Sequence, residues 1–182
     1  MLSETRDGST LLCREEIPML LSKCVIALLF VSSLAAQDAP WLGAWKLSTA
    51  PDIATAIERC TQEMSFIKRP IARSRLKKLN PAYQRIVLAR SGDAFAIQFE
   101  DRQPIRIPVD GKAIPWIRED GEKFLVSVKP GPDALVQHYQ GEDGERSNRF
   151  ILDATGKSLT LEVTVKSQKL PQPLVYALVY IR

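Results

Sequence analysis

The side chains able to do chemistry are few and poorly placed for catalysis. His138, within Leu135-Val-Gln-His-Tyr139, is the single histidine of 182 residues. No second imidazole is at hand for a metal site or for a nucleophile–base dyad. A lone strand histidine can be an axial haem ligand, but a hydrogen-bonded interior or surface role demands less of the chain, and no cofactor is expected. Cys60 recurs at helical spacing with Ile53, Ile57 and Met64, so it reads as a buried structural thiol. Glu100-Asp101, Glu119-Asp120 and Glu142-Asp143 are carboxylate pairs, each at a turn where acids ordinarily solvate the chain. Neither a phosphate-cradling Gly-rich loop nor a set of spaced metal ligands occurs. No catalytic or metal-ligating residue is assigned, and the expected activity is binding rather than catalysis.

Charge is the more informative signal. Lys68, Arg69, Arg73, Arg75, Lys77, Lys78, Arg85 and Arg90 are eight basic residues in 23 positions, with no acid among them. The remainder of residues 37–182 carries 14 basic and 17 acidic side chains, so the positive bias of the chain is concentrated in that run. Segregated charge of this kind attracts an anionic membrane surface or offers arginine to a ligand carboxylate or phosphate. A merely solvated helix face is the competing reading. Nucleic acid is not among the expected partners.

These residues are positioned by a leader and one body. Residues 25–36 form an apolar run ending in Ser-Ser-Leu-Ala-Ala, with Lys23 in front of it. A charged start, a short apolar stretch and a small-residue exit describe a secretory signal peptide. The run is short of the roughly 20 apolar residues of a membrane span, although an uncleaved anchor is the alternative. Cleavage is expected after Ala35 or Ala36. Met19 reads as a better initiator than Met1, and Cys24 precedes the apolar run, which does not suit lipoprotein processing. The expected product is a single domain, residues 37–182, exported to the periplasm or secreted. It retains only Cys60, so it must be stable without an internal disulfide.

Within that domain the period of the apolar pattern changes. Trp41, Gly43, Trp45 and Leu47 alternate along a first strand. Ser48 or Thr49 is placed to cap a helix with Pro51 and Asp52 in its first turn. A break is expected at Arg69-Pro70, followed by a second helix with Ile71, Ala72, Leu76 and Leu79 inward. From residue 82 onward the period is two. Strands are expected at 83–90, 93–100, 104–109, 112–118, 123–129, 134–140, 149–153, 158–166 and 174–182, joined by turns such as Asp110-Gly111, Asp120-Gly121 and Asp143-Gly144. The fold class is therefore mainly β, with ten antiparallel up-and-down strands and a helix-turn-helix between strands one and two.

Gly43-Ala-Trp45 on an opening strand resembles the Gly-x-Trp motif of lipocalins. Ten strands with two short helices after the first resemble the fatty-acid-binding branch of the calycins. The resemblance implies a closed barrel whose interior takes up a hydrophobic or amphipathic small molecule, lipid or fatty-acid-like, in a monomer. It also implies a basic last-strand residue against the first-strand Trp, a place Arg182 can fill. The helices would then form a basic lid, with Arg73, Arg75, Lys77 and Lys78 as its ligand- or membrane-facing cations. Phe95, Ile97 and Phe99 alternate toward the interior. On the last strand, Tyr180 and Arg182 have the two-residue spacing of the family's carboxylate-holding Arg–Tyr pair, in reversed order, and Tyr176 shares their face. The opposite face, Val175, Ala177, Val179 and Ile181, is apolar as well. Sequence favours an exposed polar Tyr–Arg face with Arg182 frayed, and leaves the orientation open. A barrel with a filled core, acting as an envelope interaction or inhibitor module through its basic face, is the alternative function.

Overall fold

The computed structural model describes residues 39–182; the leader, its cleavage point, Met19 and Cys24 lie outside the described residues. The elements run β1 (Gly43–Thr49), α1 (Ile53–Thr61), α2 (Lys68–Leu79), β2 (Arg85–Ser91), β3 (Ala94–Phe99), β4 (Ile105–Pro108), β5 (Ile114–Ile117), β6 (Lys123–Pro130), β7 (Ala134–Gly141), β8 (Gly144–Leu152), β9 (Ser158–Ser167) and β10 (Leu174–Ile181). All ten strands belong to one antiparallel sheet in the order β4-β3-β2-β1-β10-β9-β8-β7-β6-β5. The first strand pairs with the last, so the meander curls into a barrel left open only between β4 and β5. This is the expected architecture, and it removes nearly all unpaired edges.

Strand bounds differ from the expected ones mainly at β8, which begins five residues before the expected start at Arg149. Gly144 makes this possible. A Cβ there would lie 2.2 Å from the Lys166 carbonyl, so only glycine lets β8 approach β9 from its first residue. The Gly121 turn, at φ 86°, uses the left-handed region that glycine enters freely.

The helical insertion also departs from expectation in detail. Strand β1 continues through Thr49, so neither Ser48 nor Thr49 caps α1. Asp52 does: its carboxylate accepts from the Ala54 N–H at 3.0 Å and the Thr55 hydroxyl at 2.7 Å. Arg69-Pro70 is the start of α2 rather than a break, because proline in a first turn forfeits no helical hydrogen bond. The Arg69 guanidinium closes the α1–α2 turn by donating to the Gln62 and Met64 carbonyls at 2.6 and 2.9 Å. Leu76 is the buried residue of α2, whereas Ile71 faces the mouth of the barrel interior but remains 68% exposed. Residues along the whole of α2, from Lys68 to Leu79, line the mouth of the barrel interior.

The barrel interior is filled by large apolar side chains at the end where β1 begins. Trp41, Leu88, Phe95, Ile107, Leu135 and Leu159 are all buried there, and the Trp41 and Phe95 rings sit 5.3 Å apart. Gly43 has a φ of 136°, a conformation reserved for glycine, and the Arg182 guanidinium passes just outside it. Arg182 lies 4.5 Å over the Trp45 ring and donates to the Pro40 and Leu42 carbonyls at 2.6 and 3.0 Å. It is held rather than frayed, and it seals this end as the resemblance implied.

Candidate functional site

The opposite end is hollow. A cavity of about 960 Å³ lies beneath α2, within the 300–1,000 Å³ range of small-molecule sites. Its walls are mainly apolar, from Leu76, Phe99, Ile105, Trp116, Phe124 and Val165. Trp116, Phe124 and Tyr139 form an aromatic corner, with edge-on contacts of Tyr139 to both neighbours at centroid distances of 5.5 and 6.0 Å. Arg75, Arg102 and Arg118 stand at the rim with Glu119 and Glu122.

One basic side chain, Arg146 of β8, lines the interior next to this apolar wall. Alternation from Phe150 back through Asn148 turns it inward, opposite Tyr139 of β7. Its Nε donates to Asn148 Oδ1 at 2.8 Å, and Nη1 donates to Asn80 Oδ1 at 2.9 Å. Nη2 reaches the Tyr176 hydroxyl at 3.5 Å. Asn148 passes the network on by donating to Gln137 Oε1 at 3.1 Å, and Gln137 Nε2 is buried with no partner among the described residues. No ion pair among the described residues includes Arg146. Burial raises the Tyr139 phenol well above its usual range and raises that of Tyr176, with the Arg146 charge opposing both shifts, so each remains a neutral donor at neutral pH. The arrangement is a guanidinium flanked by phenols at the inner surface of an apolar chamber. Chemically it can fix an anionic oxygen.

Of the residues singled out from sequence, Ile97, Phe99 and Arg75 line the cavity. Arg75 also reaches Glu122 at 3.4 Å, which ties α2 to the β5–β6 turn. Phe95 belongs to the packed end instead. Arg73 faces α1, where it pairs with Glu58 and donates to the Thr61 hydroxyl at 3.3 Å. Lys77 and Lys78 are exposed on α2, outside the cavity lining. Tyr176 and Tyr180 do face inward, so the polar-outside reading of β10 is corrected: Val175 and Ile181 are the exposed positions, at 58% and 45%. Tyr176 meets the Arg146 network, Tyr180 donates to the Tyr83 carbonyl at 3.0 Å, and Arg182 is at the far end. His138 is on the outer face, 3.7 Å from Glu145. Among the described residues no group of three or more His, Cys, Asp or Glu side chains is placed to hold a metal ion.

Arg146, Asn148, Tyr139 and Asn80 were not singled out from sequence. The signal was present in the alternation Arg146, Asn148, Phe150, but the intervening Glu145, Ser147 and Arg149 are polar too, so the stretch reads as a loop.

A nearly closed ten-stranded barrel with two helices between strands one and two is the fold of fatty-acid-binding proteins. Solved structures make the same comparison. A protein described as the REP1-NXSQ fatty acid transporter superposes with a TM-score of 0.53 at 15% identity, over 80% of this chain and 97% of that one. The fatty-acid-binding protein from brain tissue of Drosophila melanogaster gives 0.53 at 12% identity, over 78% and 99%. Fatty-acid-binding protein 1 of Echinococcus granulosus gives 0.51 at 12% identity, over 79% and 97%. At these identities the likeness is one of fold. No protein-family model matches the chain, and no curated protein matches it by sequence.

Proposed function

We propose that this chain is a non-enzymatic carrier of an amphipathic small molecule with a single anionic head, a fatty acid or a close chemical relative. The observation that carries the reading is Arg146: a cation at the inner surface of a mainly apolar cavity, with phenol neighbours and no ion-pair partner among the described residues. A half-buried guanidinium whose hydrogen-bond acceptors are all neutral is under-compensated, and a ligand carboxylate supplies an anionic partner. Apolar burial of the tail, at roughly 25 cal/mol per Å², would provide most of the affinity. The fold shared with structures described as fatty acid carriers supports the same ligand class. Native mass spectrometry before and after organic extraction tests it: an adduct lost on extraction and restored by hexadecanoate is expected. A chain that stays bare with hexadecanoate present would overturn the reading.

Delivery to or from an anionic membrane is part of this proposal. Phe66, Ile67 and Ile71 are 87%, 77% and 68% exposed at the α1–α2 turn and the start of α2. Lys68 lies among them in sequence and Arg75, Lys77 and Lys78 follow on the same helix, an apolar tip next to a cationic stretch that suits an anionic interface. Replacing the three apolar residues by serine should abolish flotation with phosphatidylglycerol vesicles, and flotation that persists would remove the membrane step. Export to the periplasm or beyond rests on the leader at residues 1–36, and N-terminal sequencing of the mature protein checks it.

A further inference from the structure

The donors of Arg146 and Tyr176 share one acceptor, and α2 supplies it. Asn80, the residue that ends α2, is 4% exposed and reaches into the barrel. Its Oδ1 accepts from Arg146 Nη1 at 2.9 Å and from the Tyr176 hydroxyl at 3.4 Å. A single neutral oxygen thus sits where a guanidinium donor and a phenol donor converge, the point at which an anionic oxygen would gain most. Asn80 Nδ2 meanwhile donates to the Leu76 carbonyl at 2.8 Å, so the same side chain also finishes the last turn of α2.

We propose that Asn80 is an internal stand-in for the ligand's head group, an autoinhibitory contact that holds the lid down until an acidic ligand displaces it. The inference rests on the carrier reading and adds the coupling of head-group binding to the lid. A hydrogen bond to a charged acceptor is roughly twice as strong as one to a neutral amide oxygen. A carboxylate therefore outcompetes Asn80 for Arg146 and Tyr176, whereas an ester or alcohol oxygen does not. Displacement cuts the inner tie of α2 to the barrel wall and leaves two outer ties of the helical pair, Arg75 to Glu122 and Gln172 to Glu63. Ligand chemistry at the head is thereby converted into freedom of the lid, because only a ligand with differential interaction between the two lid states can shift them.

Two measurements on the full chain test this, using hexadecanoate and its methyl ester at matched occupancy. Amide hydrogen exchange of the last turn of α2, residues 76–80, should be at least fivefold faster with the acid than with the ester. Equal exchange, or slower exchange with the acid, would overturn the latch. Asn80→Asp places a carboxylate in the stand-in position and gives up the Nδ2 donor to Leu76, so acid affinity should fall at least tenfold further than ester affinity. A parallel loss of both ligands would mean that Asn80 is only structural and would equally overturn the proposal. If neither ligand binds the unaltered chain, the carrier reading falls and the latch falls with it. If both bind and the exchange rates match, the latch alone is lost.

Discussion

Replacing Arg146 by methionine keeps the length and volume of the stem and removes only the guanidinium. Truncating one partner of a buried, hydrogen-bonded charge pair typically costs about 2–5 kcal/mol. The site lines a cavity with an open rim, which argues for the lower part of that range. A loss of about 3 kcal/mol corresponds to roughly a hundredfold in affinity, at about 1.4 kcal/mol per decade. The loss should be confined to ligands with a charged head, so hexadecanoate should weaken about a hundredfold and hexadecanol by less than about threefold. Stability should change little. Asn148 and Asn80 each lose a donor, at about 1 kcal/mol apiece, offset by relief from holding a cation against an apolar wall. Calorimetric titration of both ligands at neutral pH, where the Tyr139 and Tyr176 phenols stay protonated, separates these effects. An equal loss for acid and alcohol, or no loss for the acid, would refute the assignment of Arg146 to the head group.

Arg182→Ala removes the stacking on Trp45 and the two bonds to Pro40 and Leu42. A cost of about 2 kcal/mol follows, or a melting temperature lower by about 4–8 °C. Ligand affinity should not move, and calorimetry that finds a large affinity change would contradict the placement of Arg182 at the sealed end. Phe150→Ala should cost about 3–5 kcal/mol by denaturant unfolding, because Phe150 is fully buried behind Phe99. The space it vacates should shift ligand preference toward longer tails. Hydrogen bonding to Arg118 holds the Asp120 carboxyl at about 2, below its ordinary 3.8. The stabilisation from that pair is therefore present above pH 3.8 and lost as pH falls toward 2. Melting curves of Asp120→Asn and the unaltered chain should converge near pH 2 and separate above pH 4.

The fold was legible because most strands carry one apolar and one polar face. β9 is the clearest, with Leu159, Leu161 and Val163 buried and Ser158, Thr160 and Glu162 not. Gly43-Ala-Trp45 was legible for a related reason: its glycine conformation and the ring beneath Arg182 are both requirements of closing the barrel at that end. The helix ends were harder. Ser48 and Thr49 are good caps by residue type, but pairing of β1 with β10 carries the strand through Thr49, and tertiary register outranks local preference. Ile71 misled in part: its helical spacing with Leu76 is genuine, but it lines the mouth of the cavity and stays 68% exposed instead of entering the core.

The residues around Arg146 were illegible for a physical reason visible on β8: there the inward positions are polar, so the usual rule inverts. On β10 both faces carry apolar residues, so the alternation gives no direction. Arg146 and Asn148 point inside while Val175 and Ile181 point out. A pattern of hydrophobicity then reads β8 as a loop and cannot orient β10. The fold tolerates this inversion because its two ends have different tasks. Trp41, Phe95, Leu135 and Leu159 fill the interior at one end with buried apolar side chains. That end can carry the stability of the barrel, and the other is left free to hold a cation, an orphaned Gln137 amide and a cavity that would each weaken a protein built from them alone. Local inconsistency with the folding rules, confined to one end of an otherwise consistent barrel, is what marks that end as the site.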